Sequence, residues 1–141
     1  MGISEKSRCW ILCEDLQTGC YIRYFLREHG VNNRRITQLP LPLAGCGEQY
    51  VREKLPVYLK KLRSQKHQRQ LMLVICTDAD TRSTRHRETV LESECRACKT
   101  PYIQPDDAAL LFVPKRNIET WIRWYEGDYW EYLPELSSEI Q

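Results

Sequence analysis

Carboxylates are the residues in this chain whose spacing could do chemistry. Three acidic groups follow apolar runs: Glu14-Asp15 after Trp10-Ile11-Leu12-Cys13, Asp78-Ala79-Asp80 after Leu71 to Thr77, and Glu119 shortly after Ala109 to Val113. Carboxylates pressed together repel one another unless a cation neutralises them. Hard oxygen donors of this kind suit Mg²⁺ or Mn²⁺. In an extended segment, side chains two residues apart point the same way. Asp78 and Asp80 can therefore reach one ion from the end of a strand. The competing reading is that the two aspartates only shape a turn and cap the next helix, as acidic residues commonly do.

Basic residues come next. Arg82, Arg85, His86 and Arg87 directly follow the Asp-x-Asp. Positive charge there opposes the dipole at a helix N-terminus, which favours a use such as bringing a phosphate backbone to the carboxylates. The plainer alternative is a solvated first turn. A second basic face, Arg52 to Arg69, reads as solvated surface before it reads as a nucleic-acid contact. Cys95-x2-Cys98 has the spacing of half a zinc site, but no second pair accompanies it; two ordinary thiols at a helix end are expected. His29, His67 and His86 lie in polar segments without a nucleophile at a telling spacing. Trp121, Trp124, Tyr125, Tyr129, Trp130 and Tyr132 crowd the C-terminal segment. They suit core and a partner interface, or stacking on bases.

Elements that would position these groups follow from periodicity. Strands are expected at Arg8 to Cys13, Arg35 to Leu39, Leu71 to Thr77 and Ala109 to Val113. Leu71 to Thr77 is apolar on both faces, as a central parallel strand is. Helices are expected at about Thr18 to His29, Glu48 to Lys66, Ser83 to Ala97 and Ile118 to Glu126, the last capped by Asn117. Pro56 should kink or split the second helix. The loop from Pro40 to Gly47 carries Gly45 and Gly47, which could admit close approach to a ligand. Strict alternation implies an open α/β sheet of about four mainly parallel strands with helices on both faces. In such sheets ligands bind outside the carboxyl ends of the strands, where the acidic groups fall.

The whole chain of 141 residues suits one domain, with a core over about residues 8–128 and the aromatic segment over 121–141. Its formal net charge of +2 neither demands nor excludes a nucleic-acid partner. No apolar run approaches the roughly 20 residues that cross a bilayer, and no secretory leader is visible. Seven cysteines, an odd number, argue for reduced thiols. A cytoplasmic protein without a membrane partner is expected.

Ile11-Leu12-Cys13-Glu14-Asp15 resembles the first motif of Toprim domains, a hydrophobic strand ending in glutamate. Leu73 to Asp80 resembles the second, a strand ending in Asp-x-Asp. Leu111-Phe112-Val113-Pro114-Lys115-Arg116-Asn117-Ile118-Glu119-Thr120-Trp121 is similar to the third block of small free-standing Toprim-like proteins, relatives of the overcoming-lysogenization-defect-type nucleases. The resemblance covers about Arg8 to Asp128. It implies Glu14 as general acid or base or as ligand of a second metal, Asp78 and Asp80 as Mg²⁺ ligands, Glu119 as a further ligand, and Lys115 or Arg116 as stabiliser of the scissile phosphate. The function implied is a metal-dependent nuclease acting on DNA or RNA, with an ATPase partner and a role in defence against phage; self-association is a further expectation. Two other readings stand beside it. One is a catalytically silent Toprim-like binding module. The other is a response-regulator receiver, with Glu14-Asp15 as its acidic pair, Asp78 as phospho-acceptor and Lys115 as its lysine.

Overall fold

The computed structural model describes residues 5–43, 47–65, 70–78 and 83–114. Its elements are β1 (Arg8–Cys13), α1 (Leu16–Glu28), a 3-10 turn (Asn33–Arg35), β2 (Ile36–Gln38), α2 (Gly47–Ser64), β3 (Leu71–Cys76), α3 (Thr84–Ala97) and β4 (Ala109–Phe112). Each strand and the first three helices lie within about two residues of expectation. The expected helix from Ile118 to Glu126 and the aromatic segment lie outside the described residues.

The four strands form one parallel sheet in the order β2-β1-β3-β4. Alternation along the strands decides which side chains meet which helix. Cys9, Ile11 and Cys13 of β1 and Met72, Val74 and Cys76 of β3 pack with Tyr21, Ile22 and Leu26 of α1. Leu12 of β1 and Leu71, Leu73 and Ile75 of β3 face the other way. They pack with Val51, Leu55 and Leu59 of α2 and with Leu91 and Cys95 of α3. All six residues of β3 are buried, which accounts for its unbroken apolar sequence.

Helix α2 continues through Pro56, which is buried, so the expected split does not occur. Packing of the apolar stripe outweighs the backbone bond that proline cannot donate.

Helices α1 and α3 end alike. Val31 N–H donates to Leu26 O at 3.0 Å and Gly30 N–H to Arg27 O at 3.0 Å. Thr100 N–H donates to Cys95 O at 2.9 Å and Lys99 N–H to Arg96 O at 3.0 Å. Both are Schellman closures, which place one residue in the left-handed region. Gly30 fills that position at φ +97°, whereas Lys99 is forced into it at φ 55°. Replacing Lys99 by Gly should therefore raise stability by roughly 0.5–1 kcal/mol, and Gly30→Ala should lower it by about 1 kcal/mol. Urea midpoints of the two variants against wild type check both signs.

Candidate active site at the carboxyl edge of β1 and β3

Strand order creates an opening where the acidic groups fall. From β1 the chain crosses by α1 to β2 on one side; from β3 it crosses by α3 to β4 on the other. The loops after β1 and β3 thus leave in opposite directions over two adjacent strands. That divergence is the topological switch point, the usual ligand crevice of an open α/β sheet. Cys13 and Cys76 are paired in register as the last residues of β1 and β3. Glu14 and Thr77 come next, side by side.

The structure joins them directly. Thr77 Oγ1 donates to Glu14 Oε2. The backbone N–H of Asp78 donates to the same oxygen at 3.1 Å. One carboxylate oxygen therefore bridges the two strand ends across the crevice, and the two donors fix its orientation. Thr77 is buried. Asp15 acts elsewhere, accepting the Thr18 N–H on its carboxylate at 2.8 Å and so capping α1.

Gly47, the first residue of α2, lies against this junction. A Cβ added there would come within 2.8 Å of Glu14 Cβ and 3.0 Å of Glu14 O. The close approach expected from the Pro40–Gly47 loop is thus made to the protein's own backbone at Glu14. Gly45 lies outside the described residues.

Arg87 supplies the other brace. Expected on an exposed first turn, as a phosphate contact or as solvated surface, it is buried instead. Its Nε donates to the carbonyl of Asp78 at 2.9 Å, and its Nη1 donates to Glu48 Oε1 at 2.7 Å. Arg52 Nε donates to that same glutamate oxygen at 3.2 Å, and Arg52 Nη1 reaches Glu94 at 3.2 Å. The chain Asp78–Arg87–Glu48–Arg52–Glu94 ties the loop after β3 to the start of α2 and the last turn of α3. Arg52, expected as solvated surface, is a half-buried member of it. Arg85 is exposed, as a surface contact requires.

Residues missed in the sequence are Thr77 and Glu48, together with the strut role of Arg87. A signal existed for Arg87: it precedes Leu91 and Cys95 at spacings of four, on the buried stripe of α3. For Glu48 no local pattern points to a partner 39 residues away.

Ser83, not an aspartate, caps α3, accepting the His86 N–H at 3.0 Å. Asp78 is therefore no helix cap. Asp80, Arg82, Lys115, Arg116 and Glu119 lie outside the described residues. Among the described residues, no three His, Cys, Asp or Glu side chains gather in one place. In donor chemistry Glu14 and Asp78 fit Mg²⁺ or Mn²⁺, since Mg²⁺ is commonly held by one or two carboxylates with water and phosphate oxygens completing its shell.

The thiols beneath the crevice are not nucleophiles. Burial pushes Cys13 up to about 11, and Cys76 is raised well above the ordinary range by burial and then by the nearby Asp78. Burial likewise lifts Cys9 and Cys95 to about 11. Cys98 is exposed at the cap of α3.

Two outcomes follow from the strut and the thiols. Arg87→Ala should cost about 2–3 kcal/mol in denaturant unfolding, because Asp78 O and Glu48 lose a buried partner; Arg85→Ala, close by in solvent, should stay within about 0.5 kcal/mol of wild type. The raised thiol values lie above those of the unfolded chain, so their stabilisation is complete below about pH 9 and is lost as pH rises toward 11. Urea midpoints should fall over that interval, and less steeply in Cys13→Ala. Comparisons of the chain with protein-family models, with curated proteins and with solved structures return no match, so the case for this site rests on its own residues.

Proposed function

We propose that the crevice between β1 and β3 is the centre of a Toprim-like, metal-dependent nuclease that hydrolyses phosphodiester bonds of DNA or RNA. The observation that carries the reading is the junction of Glu14 with the Asp78 backbone at the switch point, 3.1 Å across two paired strand ends. It brings the glutamate of the first motif and the first aspartate of the second to one edge.

In this reading Asp78, with Asp80 and Glu119, would hold Mg²⁺ or Mn²⁺, and Glu14 would add a ligand or act as general acid–base. The bound ion would lower the pKa of a water and neutralise charge on the phosphate. Thr77 and the Asp78 N–H orient the Glu14 carboxylate, so that it meets its proton donor or acceptor in one geometry. Arg87 and Glu48 hold the backbone of Asp78. Lys115 or Arg116 would face the scissile phosphate, and Arg82 and Arg85 would carry the strand in. An ATPase partner and a role in defence against phage belong to the same proposal.

Two observations favour other readings. A glutamate oxygen already accepting from Thr77 and Asp78 is also what a purely structural strand-end tie would look like, which suits a silent binding module. The strand order β2-β1-β3-β4 is that of the first four strands in flavodoxin-like sheets, which suits a receiver phosphorylated on Asp78.

Plasmid DNA and total RNA incubated with the protein and Mg²⁺ or Mn²⁺ separate the three. The nuclease reading predicts cleavage by wild type and a loss of about 100-fold or more in Glu14→Gln and Asp78→Ala, both still folded. Equal silence of all three proteins favours the binding module. Labelling of Asp78 by a small phosphodonor, without cleavage, favours the receiver.

A further inference from the structure

At the opposite end of the sheet from the carboxylates, the amino ends of β1 and β2 border a notch of about 490 Å³ lined by Arg8, Asn32, Arg34, Arg35 and Thr37. Among the described residues, three guanidinium groups, an amide and a hydroxyl line it, with no carboxylate. In a chain whose 21 basic and 19 acidic residues nearly balance, such a one-signed surface is a local arrangement.

The turn carrying the arginines is tied in place. Asn32 Oδ1 accepts the Arg34 N–H at 2.9 Å, which sets the 3-10 turn. Arg23 Nη1 of α1 donates to Asn33 Oδ1 at 2.9 Å and to Asn33 O at 3.3 Å. Arg35 Nη1 donates to Lys6 O at 3.3 Å. The backbone that presents Arg34 is thereby fixed, and the tethered Arg35 side chain loses little freedom on meeting an anion.

We propose that this notch binds the phosphate backbone of a nucleic acid. Arg, Asn and Thr side chains are the common donors to phosphate oxygens, and guanidinium groups match phosphate in a two-point geometry. All five side chains are exposed, and the notch is open rather than enclosing. That shape suits a strand passing over the surface. A lipid surface would call for apolar side chains beside the charges; among the described residues, the exposed large apolar side chains Leu16, Tyr24, Leu43 and Val57 are not in the lining. The notch shares no residue with the Glu14–Asp78 crevice, so it stands whether or not that crevice is catalytic.

Equilibrium binding of labelled single-stranded and duplex oligonucleotides across a salt series tests this. Wild type, Arg34→Glu/Arg35→Glu and a charge-matched control, Lys54→Glu/Arg96→Glu, are compared. The notch variant should lose roughly tenfold or more in affinity, and its salt slope should shrink by about two phosphate contacts. The control should lose far less. Equal binding by the notch variant and wild type, or equal loss in both charge variants, overturns the proposal. So does Arg34- and Arg35-dependent binding of pyrophosphate without binding of oligonucleotide, which would make the ligand a small phosphate compound. Amide shifts of wild-type Asn32, Arg35 and Thr37 on oligonucleotide titration give a reading that needs no variant; their absence at saturation also overturns it.

Discussion

One constraint governs the site: β1 and β3 are paired in parallel, and the chain leaves them in opposite directions. Parallel pairing in the register Cys13 to Cys76 brings residues 14 and 77 level. Opposite departure of the two chains is what makes a crevice at this edge. The bond from Thr77 Oγ1 to Glu14 closes that geometry at the level of side chains. If the register slipped by one residue, every inward side chain of β1 would turn outward, and the acidic groups would separate. The two apolar faces of the sheet, packed against α1 on one side and α2 and α3 on the other, therefore hold the site indirectly.

Around this junction, polar groups hold backbone in place. Gly47 lets the start of α2 press on Glu14. Arg87 spans from the carbonyl of Asp78 to Glu48, and Arg52 extends the chain to Glu94. Buried charge is costly unless paired, so an arginine on the apolar stripe of α3 makes sense only with these partners. A strut of this kind suits a loop whose carboxylate must stay where it is.

Much of the scaffold was legible in the sequence because its signals are local. Leu71 to Cys76 admits no polar residue, and it is the fully buried central strand. Ile22 and Leu26 lie one turn apart and face the sheet. The acidic positions Glu14 and Asp78 were also legible, because strand ends in an alternating α/β chain must share one edge. The role of Arg87 was not, since a charged residue is ordinarily assigned to solvent and its acidic partner comes from another helix. Pro56 misled for a similar reason: its local penalty is offset by tertiary packing of Leu55 and Leu59 on either side. The basic notch at the other end went unread because Arg8 stands 26 positions from Arg34 in sequence and meets it only once β1 and β2 pair.

The central claim is that the carboxylates at the β1–β3 edge share a divalent cation. Anomalous diffraction from crystals soaked in Mn²⁺ tests it most directly. A shared ion predicts a peak in the crevice at about 2.1–2.3 Å from a carboxylate oxygen of Asp78, with Glu14 bordering the same ion or its water. Clean density for both side chains with no peak between them, at Mn²⁺ concentrations that saturate known carboxylate sites, would contradict it.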